Sequence, residues 1–154
     1  GMLEDSLLSD FIVQLTKLNS IGRTLSNFPR VHAMTDVTGF GIIGHLLEMI
    51  QTNNLTAHLN YAQIPLMNGV KELASKMIYP DNTMRNWKAF SESVQGISGE
   101  SLLTLCDPQT NGGLLLAVDP SKLDEIRDLF QQESHFYVEI GHLTEFENKS
   151  ICIE

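Results

Sequence analysis

Two short segments hold most of the residues that could do chemistry. They are Thr35-Asp36-Val37-Thr38-Gly39-Phe40-Gly41-Ile42-Ile43-Gly44 and Asp107-Pro108-Gln109-Thr110-Asn111-Gly112-Gly113. In the first, a carboxylate and a hydroxyl precede glycines that open an apolar run. A helix N-terminus presents unpaired amide donors and a partial positive charge, and glycines let the backbone come close to an anion. Magnesium needs only one or two protein carboxylates, completing its octahedron with water and phosphate oxygens, so Asp36 beside such a loop has the chemistry of a metal ligand. Asp36 and Thr38 also have the plainer chemistry of helix caps, and both readings stand at this stage. Gly39, Gly41 and Gly44 fit a dinucleotide fingerprint by letter count alone. The acidic residue that should follow about twenty positions later is missing, and so is a phosphate-loop lysine. In the second segment Asp107 before Pro108 makes a turn, Asn111 tolerates positive φ, and Gly112-Gly113 admit close packing or a close ligand. It reads as a strand-to-strand connection or as a second ligand loop.

Other chemistries have little support. The histidines His32, His45, His58, His135 and His142 show no zinc-binding spacing. His45 falls on a helix face with Gly41, Glu48 and Thr52, off the apolar stripe, where a solvated or capping role is expected. Cys106 and Cys152 lie in apolar stretches without a metal-ligand spacing and read as buried thiols of a cytoplasmic protein. No serine sits in a nucleophile elbow. Nineteen acids against ten bases give a net charge of −9, which opposes broad contact with nucleic acid or anionic lipid and asks for a metal ion wherever phosphate is handled. No apolar run is long enough to cross a bilayer, and the first residues carry no secretory pattern.

The elements that must position these loops follow from periodicity. Leu8, Phe11, Ile12 and Leu15 predict an amphipathic helix between Glu4 and Leu18, capped by Asp5 or Ser6. Residues 19–30 read as a short helical turn or loop, and residues 31–37 as a short strand. Ile43, Leu46, Leu47 and Ile50 place a helix directly after the first glycine loop. Residues 55–61 alternate as a half-buried strand, with Thr56, His58 and Asn60 outward. A helix is expected from Pro65 with Leu66, Val70, Leu73 and Met77 as its stripe, then a polar loop over residues 79–87. The apolar runs 101–106 and 112–118 predict two buried strands flanking the second loop. Asp119-Pro120 opens a helix bearing Leu123, Ile126, Leu129 and Phe130. Strands over 136–143, with Phe136, Val138 and Ile140 alternating, and over 150–154 finish the chain. The 154 residues suit one domain with helices covering a sheet. Gly1 ahead of Met2 reads as an expression scar, so residues 1–3 are set apart as a flexible start and residues 4–154 as a single domain.

Residues 34–49 and 107–118 together are similar to the two signature segments of the C-terminal domain of selenophosphate synthetase (selenide, water dikinase). That family belongs to the superfamily of aminoimidazole ribonucleotide synthetase, hydrogenase maturation and thiamine monophosphate kinase proteins. Between them, residues 80–87 resemble the family's Gly-Thr-x-x-Asn region, with Asp81-Asn82 where a glycine is common. The likeness spans residues 4–154. It implies an α+β fold with helices packed on a mixed β-sheet. It also implies a reaction in which ATP, selenide and water give selenophosphate, phosphate and AMP, with Mg2+ as cofactor. Asp36 matches a carboxylate that binds metal bridging the nucleotide phosphates. Thr38, Gly39, Gly41, Thr110, Asn111 and Gly112 become candidate contacts to ligand or determinants of loop shape. The family's nucleophilic cysteine or selenocysteine, its lysine and most ATP-binding aspartates belong to an N-terminal domain. No catalytic residue is therefore expected in this chain, which should be inactive alone and should partner its own N-terminal domain, in a homodimer. Two alternatives are a stand-alone binding or regulatory module of the same fold and another enzyme of the superfamily. Phe40 in "TGFG" disfavours the purine enzymes, whose loop tends to read Thr-Gly-Gly-Gly.

Overall fold

In the computed structural model, which describes residues 5–154, side-chain alternation organises a central ribbon. Strands β1 (Val31–Asp36) and β4 (Leu114–Val118) pair antiparallel, and the register ends with Asp36 opposite Leu114. Leu114, Leu116 and Val118 face a small core with Ile21 and Leu25 of α2 (Ile21–Leu25) and Ile126 and Phe130 of α7 (Leu123–Gln132). Leu115 points the other way, into a larger core. The period-two geometry of a strand thus buries both faces of the ribbon, as the continuous apolar run in β4 requires.

The larger core is built by Ile43, Leu46 and Ile50 of α3 (Gly41–Ile50), Leu105 of α6 (Gly99–Leu105) and a second sheet. That sheet runs β3-β6-β2-β5, with β3 (Val94–Gln95) and β2 (Leu55–Leu59) parallel to β6 (Ile151–Ile153) and β5 (Gly141–Glu145) antiparallel to β2. Ala57, Leu59, Val94 and Ile151 are its inward residues. Helices α1 (Asp5–Thr16), α4 (Val70–Ser75) and α5 (Asp81–Phe90) complete the described chain. Residues 1–3, set apart above, lie outside it.

Several sequence expectations are corrected. Residues 81–87 of the stretch read as a polar loop belong to α5, and the reason lies in its polar buried positions: Thr83 and Asn86 are the residues it hides. The run 101–106, read as a strand, is helix α6. Ser101 Oγ donates to the Ser98 carbonyl at 2.8 Å and accepts from the Ser98 amide at 3.1 Å, which fixes a helical first turn. The helix expected from Pro65 starts only at Val70, because the chain turns first through Gly69 at φ 83°, a conformation that suits glycine. Of residues 136–143, read as a strand, only the last three join one, because β5 begins at Gly141. Thr56, expected outward, is fully buried, its hydroxyl donating to the Lys149 carbonyl at 2.7 Å and accepting from the Glu147 amide at 3.0 Å. Helix α1 forms as expected, yet its stripe residues Leu8, Phe11 and Ile12 remain exposed.

Candidate functional site

The two glycine-bearing loops are neighbours because β1 and β4 are partners. Beyond the last register pair, Val37 N donates to Gly113 O at 2.9 Å, Gly112 N donates to Val37 O at 2.9 Å, and Gln109 N donates to Thr38 O at 3.0 Å. Close approach needs glycine at two points. Gly41 has φ 66°, and a Cβ there would sit 2.7 Å from the Leu105 carbonyl oxygen and 2.9 Å from the Cys106 carbonyl carbon. A Cβ at Gly112 would meet Val37 O at 2.9 Å. A third segment braces the pair: Asn86 of α5, almost wholly buried, donates from Nδ2 to Gly39 O at 3.0 Å and to Cys106 O at 2.9 Å.

Asp36 stands at the open end of this junction. It is exposed and lines a hollow of about 410 Å³ with Asn19, Met34, Thr35 and Leu114. Among the described residues no cation lies within ion-pair distance of it. Nor, among those residues, do three His, Cys, Asp or Glu side chains gather there into a complete metal cage. One exposed, unpaired carboxylate beside an open hollow fits a single magnesium ligand whose other positions are filled by water and phosphate. Thr38 and His45 are joined at 3.0 Å between Oγ1 and Nε2, and His45 Nδ1 lies 3.1 Å from Glu48 Oε2.

The interior side of the junction differs in character. Burial pushes the Asp107 carboxyl above the usual carboxylate range, opposed first by a hydrogen bond from Gln109 Nε2 to Oδ2 at 2.6 Å. The Thr83 hydroxyl pulls in the same direction as Gln109, but without closing a bond of good geometry, so Thr83 Oγ1 and Asp107 Oδ1 are both buried and unsatisfied. Burial likewise drives the Cys106 thiol up to about 12, which makes it a packing residue and no nucleophile at neutral pH.

Comparison with known proteins matches residues 13–152 to the family described as AIR synthase related protein, C-terminal domain. The chain belongs to that family. Its α+β architecture is the family's fold. Among curated relatives, a protein of Haemophilus ducreyi named selenide, water dikinase is 38% identical over 129 residues, 84% of this chain and 37% of that protein. Proteins of the same name from Haemophilus influenzae and Paraburkholderia xenovorans are 36% and 41% identical, over 91% and 79% of this chain and 40% and 35% of their own length. The chain therefore spans 35–40% of the curated relatives it matches here.

Within this AIR synthase related domain, Asp36, Gly39, Thr110 and Gly112 come to the exposed rim of the loop pair. Thr38 is half-buried with its hydroxyl on His45, and Gly41 is buried where the loops touch. Asn111 braces the scaffold, its Nδ2 donating to Gln14 O at 3.0 Å and to Lys17 O at 2.6 Å and so holding the end of α1. Gly41 and Asn111 thus shape the rim. His45, expected to be solvated or capping, is buried. Sequence reasoning gave no site role to Asn86, Thr83 or His45. The signals that could have found them were the Thr-x-x-Asn spacing in residues 83–86 and the i, i+3 spacing of His45 and Glu48 on a helix.

Proposed function

We propose that this chain is the C-terminal domain of an ATP-dependent selenophosphate synthetase, which converts ATP, selenide and water to selenophosphate, phosphate and AMP. The observation that carries the reading is the unpaired Asp36 carboxylate at the rim of two loops zipped by main-chain hydrogen bonds. The names of the relatives support the same reading. Asp36 supplies one magnesium ligand with Thr38 beside it, Gly39, Thr110 and Gly112 form the wall that faces the nucleotide phosphates, and Gly41 and Asn111 hold that wall in shape. Magnesium, when bound, neutralises phosphate charge and orients the transferring group. The nucleophilic cysteine or selenocysteine, the lysine and most of the ATP-binding aspartates belong to an N-terminal domain, against which this domain docks, within a cytoplasmic homodimer acting on small molecules. A single carboxylate cannot position several phosphates and metals, so the chain alone is inactive.

The test joins this chain to the N-terminal portion of the Haemophilus ducreyi relative. The fusion is expected to form selenophosphate from ATP and selenide, and the chain alone to form none. Calorimetry of the chain with magnesium-ATP should show weak heat or none; tight binding contradicts the proposal.

A further inference from the structure

The hydroxyl of Thr38 is not free to choose its role. Its Oγ1 lies 3.0 Å from His45 Nε2, and the other ring nitrogen, Nδ1, lies 3.1 Å from Glu48 Oε2. His45 is only 8% exposed, and Phe40 lies over its ring with centroids 5.5 Å apart. An ionised carboxylate only accepts, so the Nδ1 nitrogen of His45 carries the proton. In the neutral ring Nε2 is then an acceptor, and the one hydrogen of the Thr38 hydroxyl must point at it. What Thr38 has left to offer any further partner is lone pairs.

We infer that His45 and Glu48 are positioning residues that fix Thr38 as an acceptor, so that the rim next to Asp36 receives a hydrogen-bond donor from a cation's water shell rather than a phosphate oxygen. This rests on the reading of Asp36 as a magnesium ligand. The chemistry is consistent with that reading: ionised phosphate oxygens bring no hydrogen to an acceptor, whereas every water on magnesium points its hydrogens outward. It also divides the labour along the loop. The exposed Gly39 backbone is left for anionic oxygens, and the carboxylate of Asp36 with the oxygen of Thr38 for the hydrated metal. The relay needs its full length, because without Glu48 a neutral imidazole can move its proton to Nε2 and turn Thr38 into a donor toward the rim. A group placed behind a ligand in this way orients what the ligand meets without touching the metal.

The test has two arms on the 154-residue chain. In long-range nitrogen–proton spectra of histidine-labelled protein, His45 should carry a proton on Nδ1 and none on Nε2. Glu48→Ala should raise the Nε2-protonated share, and Glu48→Gln, which still offers an acceptor, should restore the original form. A proton on Nε2 in the parent overturns the inference. In the second arm Mn2+ alone is titrated in, and broadening of the Asp36 to Gly39 amides is followed. Thr38→Val should need about tenfold more Mn2+ and Thr38→Ser should behave within about twofold of the parent, the scale on which groups behind the ligands alter metal affinity. If Thr38→Val changes nothing while Asp36→Asn abolishes the broadening, the inference fails and the magnesium reading stands. If Asp36→Asn also changes nothing, the magnesium reading itself fails.

Discussion

Two regions of this domain use similar ingredients to opposite ends. On the sheet face formed by β2, β5 and β6, His58 Nδ1 lies 3.0 Å from Glu154 Oε1 and Nε2 lies 3.2 Å from Glu147 Oε1, and the ring stacks on His142 with centroids 4.9 Å apart. The hydrogen bond to Glu154 raises the His58 pKa, burial working against it, so the acids and the imidazole satisfy one another. At the loop junction, buried side chains such as Asn86 are satisfied by main-chain groups, and the rim carboxylate of Asp36 has no cation among the described residues. A charge cluster that balances itself belongs to the fold; a charge held unbalanced at an open rim by a rigid, glycine-dependent scaffold is available to a ligand.

The comparison can be broken most forcefully at Asp36. In the fusion described above, Asp36→Asn should lower selenophosphate formation by about 100-fold or more, while the stability of the chain moves by less than about 0.5 kcal/mol, as for an exposed side chain without partners. Loss of stability instead would assign Asp36 to the fold. Scaffold residues should behave in reverse. Asn86→Ala leaves the Gly39 and Cys106 carbonyls without their donor and should cost roughly 2–4 kcal/mol in urea unfolding. Gly41→Ala, at positive φ and facing the Leu105 carbonyl, should cost at least about 2 kcal/mol.

Smaller effects sharpen the contrast through pH. The Asp107 carboxyl titrates above its unfolded value of about 3.9. Its ionisation therefore penalises the fold: the penalty is absent below that unfolded value and grows as pH rises through the raised folded one. Asp107→Asn should gain stability over the parent as pH is raised from about 4 to about 7, read in parallel denaturation curves. For His58, raised above 6.5, the sign is the other way for a base: its contribution is complete below 6.5 and is lost as pH rises through the folded value. Glu154→Gln should flatten that shallow dependence, the smallest change expected, since the Glu154 side chain is largely open to water.

Much of the fold was legible where hydropathy and periodicity agree. The stripe Ile43, Leu46, Ile50 announced α3, the pattern of β4 announced a strand buried on both faces, and Asp119 with Pro120 announced the turn into α7. Helix α5 was not legible, because what it buries is Thr83 and Asn86, whose partners lie far away in the chain and whose burial no hydropathy pattern encodes. Helix α6 misled for the opposite reason: a continuous apolar run is equally a buried strand until Ser98 and Ser101 lock its first turn. At the site, Asp36 was visible as a carboxylate before glycines, but His45 was not visible as a relay, since its partners become partners only when the loop folds back on α3.

The central claim is that the zipped loops present Asp36 as a metal ligand at an open rim. Paramagnetic broadening of backbone amides by trace Mn2+ tests it most directly in the 154-residue chain. The account predicts broadening confined to residues 36–39 and 110–113 and absent in Asp36→Asn. Broadening centred on His142, Glu147 and Glu154, or broadening at the loops that survives Asp36→Asn, contradicts it.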